Sequence, residues 1–309
     1  MVFCGTPQFA VPALEKLLSS NFQISAVFTQ PDRPRGRGQE VSVSPVKELA
    51  RAVQVPVHQP PKIGAPEIEA ELRTLAPEAI VIIAYGQIIP ARLLDIPRLG
   101  WINLHASLLP KYRGAAPIPW AIASGESLTG NTTMRIDAGM DTGEILLQQE
   151  VSIGPAETTP ELTRRLAEAG AQLMVETLEG LVNGRIVPRP QDHSAASYAP
   201  ILKRADGWID WERPAQEIYN RMRGFAPWPG AYTEFRRRVC HLWGHPATAA
   251  TRTDLPGTVV VRDGHLLVAC GAATALELTD VKLEGRKQIS AAEFANGARL
   301  QSGERLGKS

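Results

Sequence analysis

With 309 residues, 44% of them hydrophobic and 21% charged, the chain is long enough for two domains and apolar enough to bury a core in each, which excludes a disordered protein. The formal net charge of +1 hides an asymmetry: residues 1–190 carry 17 Lys and Arg against 19 Asp and Glu, net −2, while residues 191–309 carry 16 against 13, net +3, a mild bias toward an anionic partner. No stretch of about 18 apolar residues occurs and MVFCGTPQFAVP lacks a basic segment before an apolar one, so neither a membrane span nor a secretory signal is expected, and the expected location is the cytoplasm.

The first half alternates short β-branched or aromatic runs with longer amphipathic ones, the pattern of a Rossmann-like, mostly parallel sheet covered by helices. Strands are predicted at Val2 to Cys4, Ile24 to Thr29, Ala79 to Ala84, Trp101 to Leu104, Thr132 to Ile136 and Ile145 to Val151. Gly5-Thr6-Pro7 turns the first strand into a helix, with Thr6 as N-cap and Pro7 where its missing N–H costs nothing. Only four residues precede Gly5, so this strand is short, which leaves room for a start upstream of Met1. Residues 158–182 read as a long helix, opened by Thr159-Pro160-Glu161 and packed through Leu162, Leu166, Ala169 and Leu173. From 185 to 207 the chain is rich in Pro, Ser and Ala without any period and reads as a linker. Beyond it come a short helix over Ala215 to Arg223, the turn FAPWPGAY, and strands at Val239 to Trp243, Gly257 to Val261, Leu266 to Ala269 and Ala275 to Leu283. That spacing predicts a small OB-like β-barrel, a shape often used for nucleic acid. Trp208, Trp211 and Trp228 are expected as packing residues at the domain junction.

The segment WINLHASLLPKYRGAAP, residues 101–117, holds the densest chemistry. In a strand Ile102 and Leu104 face one side, and Asn103 and His105 project from the other, about 6.6 Å apart along the chain. They lie at the C-terminal end, where open α/β sheets put their ligands. An amide donor beside an imidazole suits a carbonyl that gains negative charge, with no covalent nucleophile required; the plain alternative is a strand ending in a polar loop. Ser107 lacks the G-x-S-x-G surroundings of a hydrolase nucleophile. Downstream, MRIDAGMDTGEI sets Asp137 and Asp141 among Gly139 and Gly143 in a loop between strands. Asp141 is the better placed to orient an imidazole, although an acidic glycine-rich turn also reads as an ordinary hairpin. QPDRPRGRGQEVSVSP, residues 30–45, carries Arg33, Arg35 and Arg37 within five residues and reads as a mobile basic surface loop, either solvated or anion-binding. Cys4, Cys240 and Cys270 are too few and too scattered for a disulfide framework or a CxxC site, and His58, His193, His241, His245 and His265 show no ligand spacing, so no metal is expected.

NLHASLLPKYRGAAP together with DAGMDTGEILL resembles the folate-dependent formyltransferases, and the likeness continues through FCGTPQFAVPALEKLL, FTQPDRPRGRG, SPVKELA, AYGQIIP, GWIDW and RGFAPWPGAYT, nearly the whole chain. The resemblance implies transfer of the formyl group of 10-formyltetrahydrofolate, a co-substrate, to an amine. By this likeness Asn103 and His105 donate to the oxygen that becomes negative, while Asp141 orients His105 and helps the amine lose its proton. It also implies folate contacts from Tyr85, Gly86, Ile88, Ile89, Ser107, Leu108, Leu109, Pro110 and Asp137, with ordinary core packing the alternative for the aliphatic members. Within the family the likeness is to enzymes that formylate methionine on initiator tRNA. It therefore implies an acceptor stem meeting Arg33, Arg35 and Arg37, aided by Lys203 and Arg204, with Arg236, Arg237, Arg238, Lys282, Arg286 and Lys287 as further cations. The implied plan is a transfer domain over 1–184, a linker over 185–207, a tRNA-binding domain over 208–309, and a monomer. The rivals are a formyltransferase for amino sugar nucleotides, a formyl-folate hydrolase unit and a non-catalytic folate- or RNA-binding module; a dinucleotide oxidoreductase is disfavoured because Gly5-Thr6-Pro7 is no GxGxxG.

Overall fold

In a computed structural model that describes residues 1–35, 40–248, 255–262 and 264–307, the chain begins β1 (Val2–Gly5), α1 (Val11–Leu18), β2 (Ala26–Phe28), β3 (Arg33–Arg35), β4 (Glu40–Ser42), α2 (Pro45–Ala52), β5 (Val57–His58), α3 (Pro66–Leu75), β6 (Ile80–Ile83), α4 (Ala91–Leu94) and β7 (Trp101–His105). It continues α5 (Pro117–Ala123), β8 (Leu128–Arg135), β9 (Ile145–Ser152), α6 (Thr159–Val182), α7 (Ala215–Gly224), β10 (Tyr232–Phe235), β11 (Arg238–Pro246), β12 (Val259–Arg262), β13 (His265–Cys270), β14 (Thr274–Leu283), β15 (Ile289–Ser290) and α8 (Ala291–Ala298). Two compact units result: residues 1–117, 128–152 and 161–200 form the first, and residues 118–127, 153–160 and 201–309 the second. The stretch expected as a linker is thus divided, with 185–200 folded into the first unit by bonds such as Arg113 N to Ser197 O (2.8 Å) and Ile145 N to Arg189 O (2.8 Å).

The first unit carries a seven-stranded sheet in the order β5-β2-β1-β6-β7-β8-β9, parallel up to β7 and antiparallel at β8 and β9. Its inner strands read VFCG, AVF and IVII, unbroken apolar runs because helices cover both faces. On one face Phe3, Val27, Val81, Ile83, Ile102 and Leu104 meet Leu14 and Leu17 of α1, Val46 and Ala50 of α2, and Met174 and Leu178 of α6. On the other, Val2, Cys4, Phe28, Ile80, Ile82 and Trp101 meet Leu72 of α3 and Leu93 of α4, and the Trp101 indole donates to Leu93 O at 2.7 Å. Helix α6 comes closest to β7 through a glycine, since a Cβ on Gly170 would lie 2.6 Å from Leu104 Cδ2. Ala169, predicted on that stripe, is one step round the helix and only half-buried.

Two local expectations fail. Thr6 is not an N-cap: a 3₁₀ turn over Gln8–Ala10 precedes α1 with Pro7 at its cap, and the Thr6 hydroxyl instead donates to Tyr85 O at 3.2 Å. The basic segment is not loop throughout, because Arg33–Arg35 and Glu40–Ser42 pair as the antiparallel strands β3 and β4, Arg33 opposite Ser42, while residues 36–39 lie outside the described residues.

The second unit is built on an antiparallel sheet in the order β10-β11-β14-β13-β12, with β15 added to β14. Trp211, Phe235, Leu242, Val268, Leu276, Val281 and Phe294 fill its core. Burial there pushes the Cys240 and Cys270 thiols up to about 12, so both are inert. β10, β15 and α8 escape the sequence reading because the two strands are short and α8 follows β15 directly, although Ser290 and Glu293 form a legible capping box. Trp211 is buried and Trp208 meets Tyr232 edge-on at 5.6 Å, but Trp228 is 56% exposed, against the packing role expected for it. Among the described residues no helix is long and apolar enough to cross a membrane.

Candidate active site

Chain order along the sheet reverses between β1 and β6, and open α/β sheets bind ligands outside the strand C-termini near such a switch. The crevice edge is tied together there. Thr6 after β1 and Gln30 after β2 both bond to Tyr85 O, which follows β6, and the Gln30 amide does so at 3.1 Å. Buried Lys47 reaches Asp32 and Gln59, and Gln59 donates to Asp32 and to Gln30 O, each at 2.8 Å. The hydrogen bond from Lys47 holds the Asp32 carboxyl below its ordinary range and fixes the base of the β3–β4 hairpin.

β7 lies beside β6, with Asn103 opposite Ile82, so the side chains leaving β7 sit next to the loop that leaves β6. Ile102 and Leu104 enter one core while Asn103 and His105 alternate to the opposite side, as the period of a strand requires. Asn103 is half-buried, and among the described residues its amide has no hydrogen-bond partner. His105 is 6% exposed, with Nε2 at 2.9 Å from Tyr112 O. A carbonyl only accepts, so Nε2 carries a proton and Nδ1 is the nitrogen left to gain or lose one. Nδ1 faces Asp141 Oδ2 at 3.7 Å, and the same oxygen accepts the Gly114 N–H at 2.8 Å. Asp141 holds a left-handed backbone with φ +52°, which turns its carboxylate inward from the β8–β9 loop. A developing imidazolium at His105 would therefore have a carboxylate beside it in a poorly solvated place.

The residues expected around the folate fall into two groups. Tyr85, Ile89, Ser107 and Leu109 are buried in the protein, whereas Gly86, Leu108 and Pro110 keep accessible surface and Ile88 is 92% exposed. Ser107 Oγ donates to Lys111 O at 2.6 Å, Ser107 O accepts the Thr132 hydroxyl at 2.7 Å, and Leu109 packs with Met134 and Ile145. These four shape the turn from behind, and burial also pushes the Tyr85 phenol upward. A bare isoleucine two residues after Gly86, which holds φ +86°, leaves apolar surface and open backbone of the kind that suits a flat heterocycle with polar edges. Asp137 is exposed and accepts Gly139 N–H and the Thr142 hydroxyl at 2.9 and 2.7 Å, closing its own loop. The glycines there serve the fold as well, since a Cβ on Gly143 would stand 1.8 Å from Arg135 O.

Arg33 is exposed at the start of the hairpin, Arg35 lies in β3, and Arg37 lies outside the described residues. In the second unit Lys203 and Arg204 are exposed at a 3₁₀ turn, with Arg204 over the Tyr232 ring at 5.8 Å. Arg236 is occupied by Glu304 at 2.9 Å, and Arg238 by Glu284 O at 2.8 Å. Among the described residues no group of three or more His, Cys, Asp or Glu could hold a metal ion. The sequence reading missed Arg113 and Gln191, both buried against the Asp141 loop; Arg113 stood in the quoted KYRGAAP motif, but Gln191 fell in a stretch without period.

Two family signatures match the chain: formyl transferase over residues 1–178, and formyl transferase, C-terminal domain, over residues 201–299. A methionyl-tRNA formyltransferase of Koribacter versatilis is 53% identical, covering 100% of this chain and 98% of that protein, and one of Solibacter usitatus is 54% identical over 100% and 98%. In Geobacter sulfurreducens the protein of the same name is 48% identical over 100% and 96%. Among solved structures, an N-formyltransferase from Helicobacter canadensis in complex with folinic acid and dTDP-3-aminofucose shares the fold, with a TM-score of 0.68 and 19% identity over 90% of this chain and 97% of that one. The two signatures, over residues 1–178 and 201–299, and relatives 48 to 54% identical along the whole chain establish that this chain belongs to the formyl transferase family.

Proposed function

We propose that the protein transfers the formyl group of 10-formyltetrahydrofolate to the amino group of methionine on initiator methionyl-tRNA, giving N-formylmethionyl-tRNA for translation initiation. The observation that carries this reading is identity of 53 to 54% along the whole chain with methionyl-tRNA formyltransferases, against 17 to 19% for the sugar formyltransferases that share the fold. The folate supplies an activated formyl carbon. The chain's own residues do the rest. Asn103 donates its amide to the formyl oxygen as negative charge develops there, a task that needs a donor already in place and free of other partners. The methionine amine attacks the formyl carbon and passes its proton to Nδ1 of His105, whose Nε2–H is held by Tyr112 O and whose charge Asp141 balances. That proton then goes to N10 of the folate as the C–N10 bond breaks and tetrahydrofolate leaves, so His105 serves as acid and base and not as the oxyanion donor that the resemblance implied. Tyr85, Ile89, Ser107 and Leu109 hold the rim in shape, and Gly86, Ile88, Leu108, Pro110 and Asp137 face the folate.

The tRNA is held by charge. Arg33 and Arg35 of β3, with Arg37 close after them in the sequence, meet acceptor-stem phosphates, and Lys203 and Arg204 add contacts without reading bases. Residues 1–184 carry the transfer chemistry together with 185–200, which fold into the same unit, 208–309 hold the tRNA, and 201–207 lead from one to the other. The protein acts as a monomer in the cytoplasm. The test is a formylation assay with 10-formyltetrahydrofolate and two acceptors, methionyl initiator tRNA and an amino sugar nucleotide. Labelled formyl should appear on the tRNA alone; transfer to the sugar with none to the tRNA overturns the reading.

A further inference from the structure

Arg113 is 2% exposed, and its guanidinium is met by neutral acceptors. Nε and Nη2 donate to Gln191 Oε1 at 3.1 and 2.6 Å, and Nη2 also donates to His193 Nδ1 at 3.1 Å. A buried guanidinium is costly unless hydrogen-bonded, so this arrangement fixes Gln191 with its amide nitrogen pointing away from Arg113. That nitrogen donates to two backbone carbonyls of the acidic loop, Asp141 O at 2.9 Å and Gly143 O at 2.7 Å. Asp141 is the loop residue in the left-handed conformation, which a non-glycine residue rarely keeps without support. The neighbours of Arg113 make the other contacts of the pair: Tyr112 O accepts from His105, and Gly114 N–H donates to Asp141 Oδ2. Segment 191–199 closes the frame, with Ser197 O accepting from Arg113 N at 2.8 Å and Arg113 O accepting from Ala199 N at 2.7 Å.

We propose that Arg113 and Gln191 are positioning residues for formyl transfer: together they clamp the Asp141 loop and so set the distance and angle between Asp141 and His105. This rests on the roles assigned above to His105 and Asp141. It makes part of the stretch between the two family signatures a structural arm of the reaction centre.

Gln191→Met keeps length and volume while removing both donations to the loop and the oxygen that accepts from Arg113, so both links of the clamp are cut together. With methionyl-tRNA and 10-formyltetrahydrofolate its kcat should fall about 10- to 100-fold, because a misplacement of about 1 Å at a reacting group costs that much, with KM for both substrates within about twofold. In an Asp141→Asn background the same substitution should cost less than about twofold, since a residue acting through Asp141 has little left to influence. A folded Gln191→Met enzyme with kcat within twofold of the unchanged protein overturns the proposal, as do a defect confined to KM or fully additive effects in the double variant. Should Gln191→Met fail to fold, Gln191→Glu keeps an acceptor for Arg113 while turning both donations into an oxygen set against the Asp141 and Gly143 carbonyls, and it faces the same criteria. Near-full activity in Asp141→Asn alone is a separate result, which removes the role assigned to Asp141.

Discussion

Replacing Asn103 by alanine tests the proposed chemistry most cleanly, because the structure separates its catalytic cost from any folding cost. The Asn103 side chain is half-buried between Ile82 and Met134 on neighbouring strands, and no described residue hydrogen-bonds to its amide. Its removal orphans no protein group, so the change in stability should stay within about 0.5 kcal/mol. Loss of one preorganised donor to a developing oxyanion costs about 2.7–4 kcal/mol, or roughly 10²- to 10³-fold in kcat. A donor engaged only as charge develops lowers kcat and kcat/KM together and leaves KM alone. The assay is steady-state formylation of methionyl-tRNA with both substrates varied, alongside urea unfolding of the same preparation. His105→Ala provides the contrast: beyond a rate loss of about 10²- to 10⁴-fold, it removes a side chain that is 6% exposed together with the N–H that Tyr112 O accepts, and should cost about 1–3 kcal/mol of stability. Asn103→Ala with kcat within threefold of the unchanged enzyme, or with its whole defect in KM, refutes the assigned role.

The other expectations read different parts of the molecule. Gly143→Ala places a methyl 1.8 Å from Arg135 O, a backbone atom that cannot swing aside, so it should cost about 1–3 kcal/mol in urea unfolding and loosen the Asp141 loop; an unchanged midpoint counts against the tight approach. Burial, with the charges of Lys282 and Arg204 adding, lowers the His241 imidazole from its ordinary 6.5. The unfolded chain then binds that proton at a higher pH than the fold does, so stability is lost as pH falls below about 6.5 and unaffected well above it. His241→Gln should reduce the drop in melting temperature between pH 7 and pH 5, and equal drops in both proteins would contradict this. Changing Arg33, Arg35 and Arg37 together to alanine should weaken tRNA binding and lower the slope of log affinity against log salt by about 0.7 to 0.9 for each phosphate that is no longer neutralised. An unaltered slope would remove the hairpin from the tRNA surface.

Much of the fold and the core of the candidate site can be read from local pattern alone. The strand period places Asn103 and His105 on one side of β7 and Ile102 and Leu104 on the other, and helical spacing predicts α6 almost to its ends, because both depend only on neighbours along the chain. The same locality explains the misses. Ala169 and Gly170 are equally compatible with the helical stripe until a sheet is present to choose the one without a side chain. Thr6 has the right identity for an N-cap, yet its hydroxyl is taken by Tyr85 O, 79 positions away.

What the sequence determined by itself is the alternation of strands and helices, the likeness to a family, and through that likeness the choice of Asn103, His105 and Asp141 as candidates. Only the tertiary structure decided that Tyr85, Ile89, Ser107 and Leu109 are buried while Ile88 stands open, and that residues 185–200 return onto the first unit, where Gln191 meets the Asp141 loop. Backbone pattern is set by nearest neighbours, but burial and the clamp from Arg113 through Gln191 to Asp141 join segments up to 78 residues apart, and such contacts exist only once the sheet has closed their loops in space.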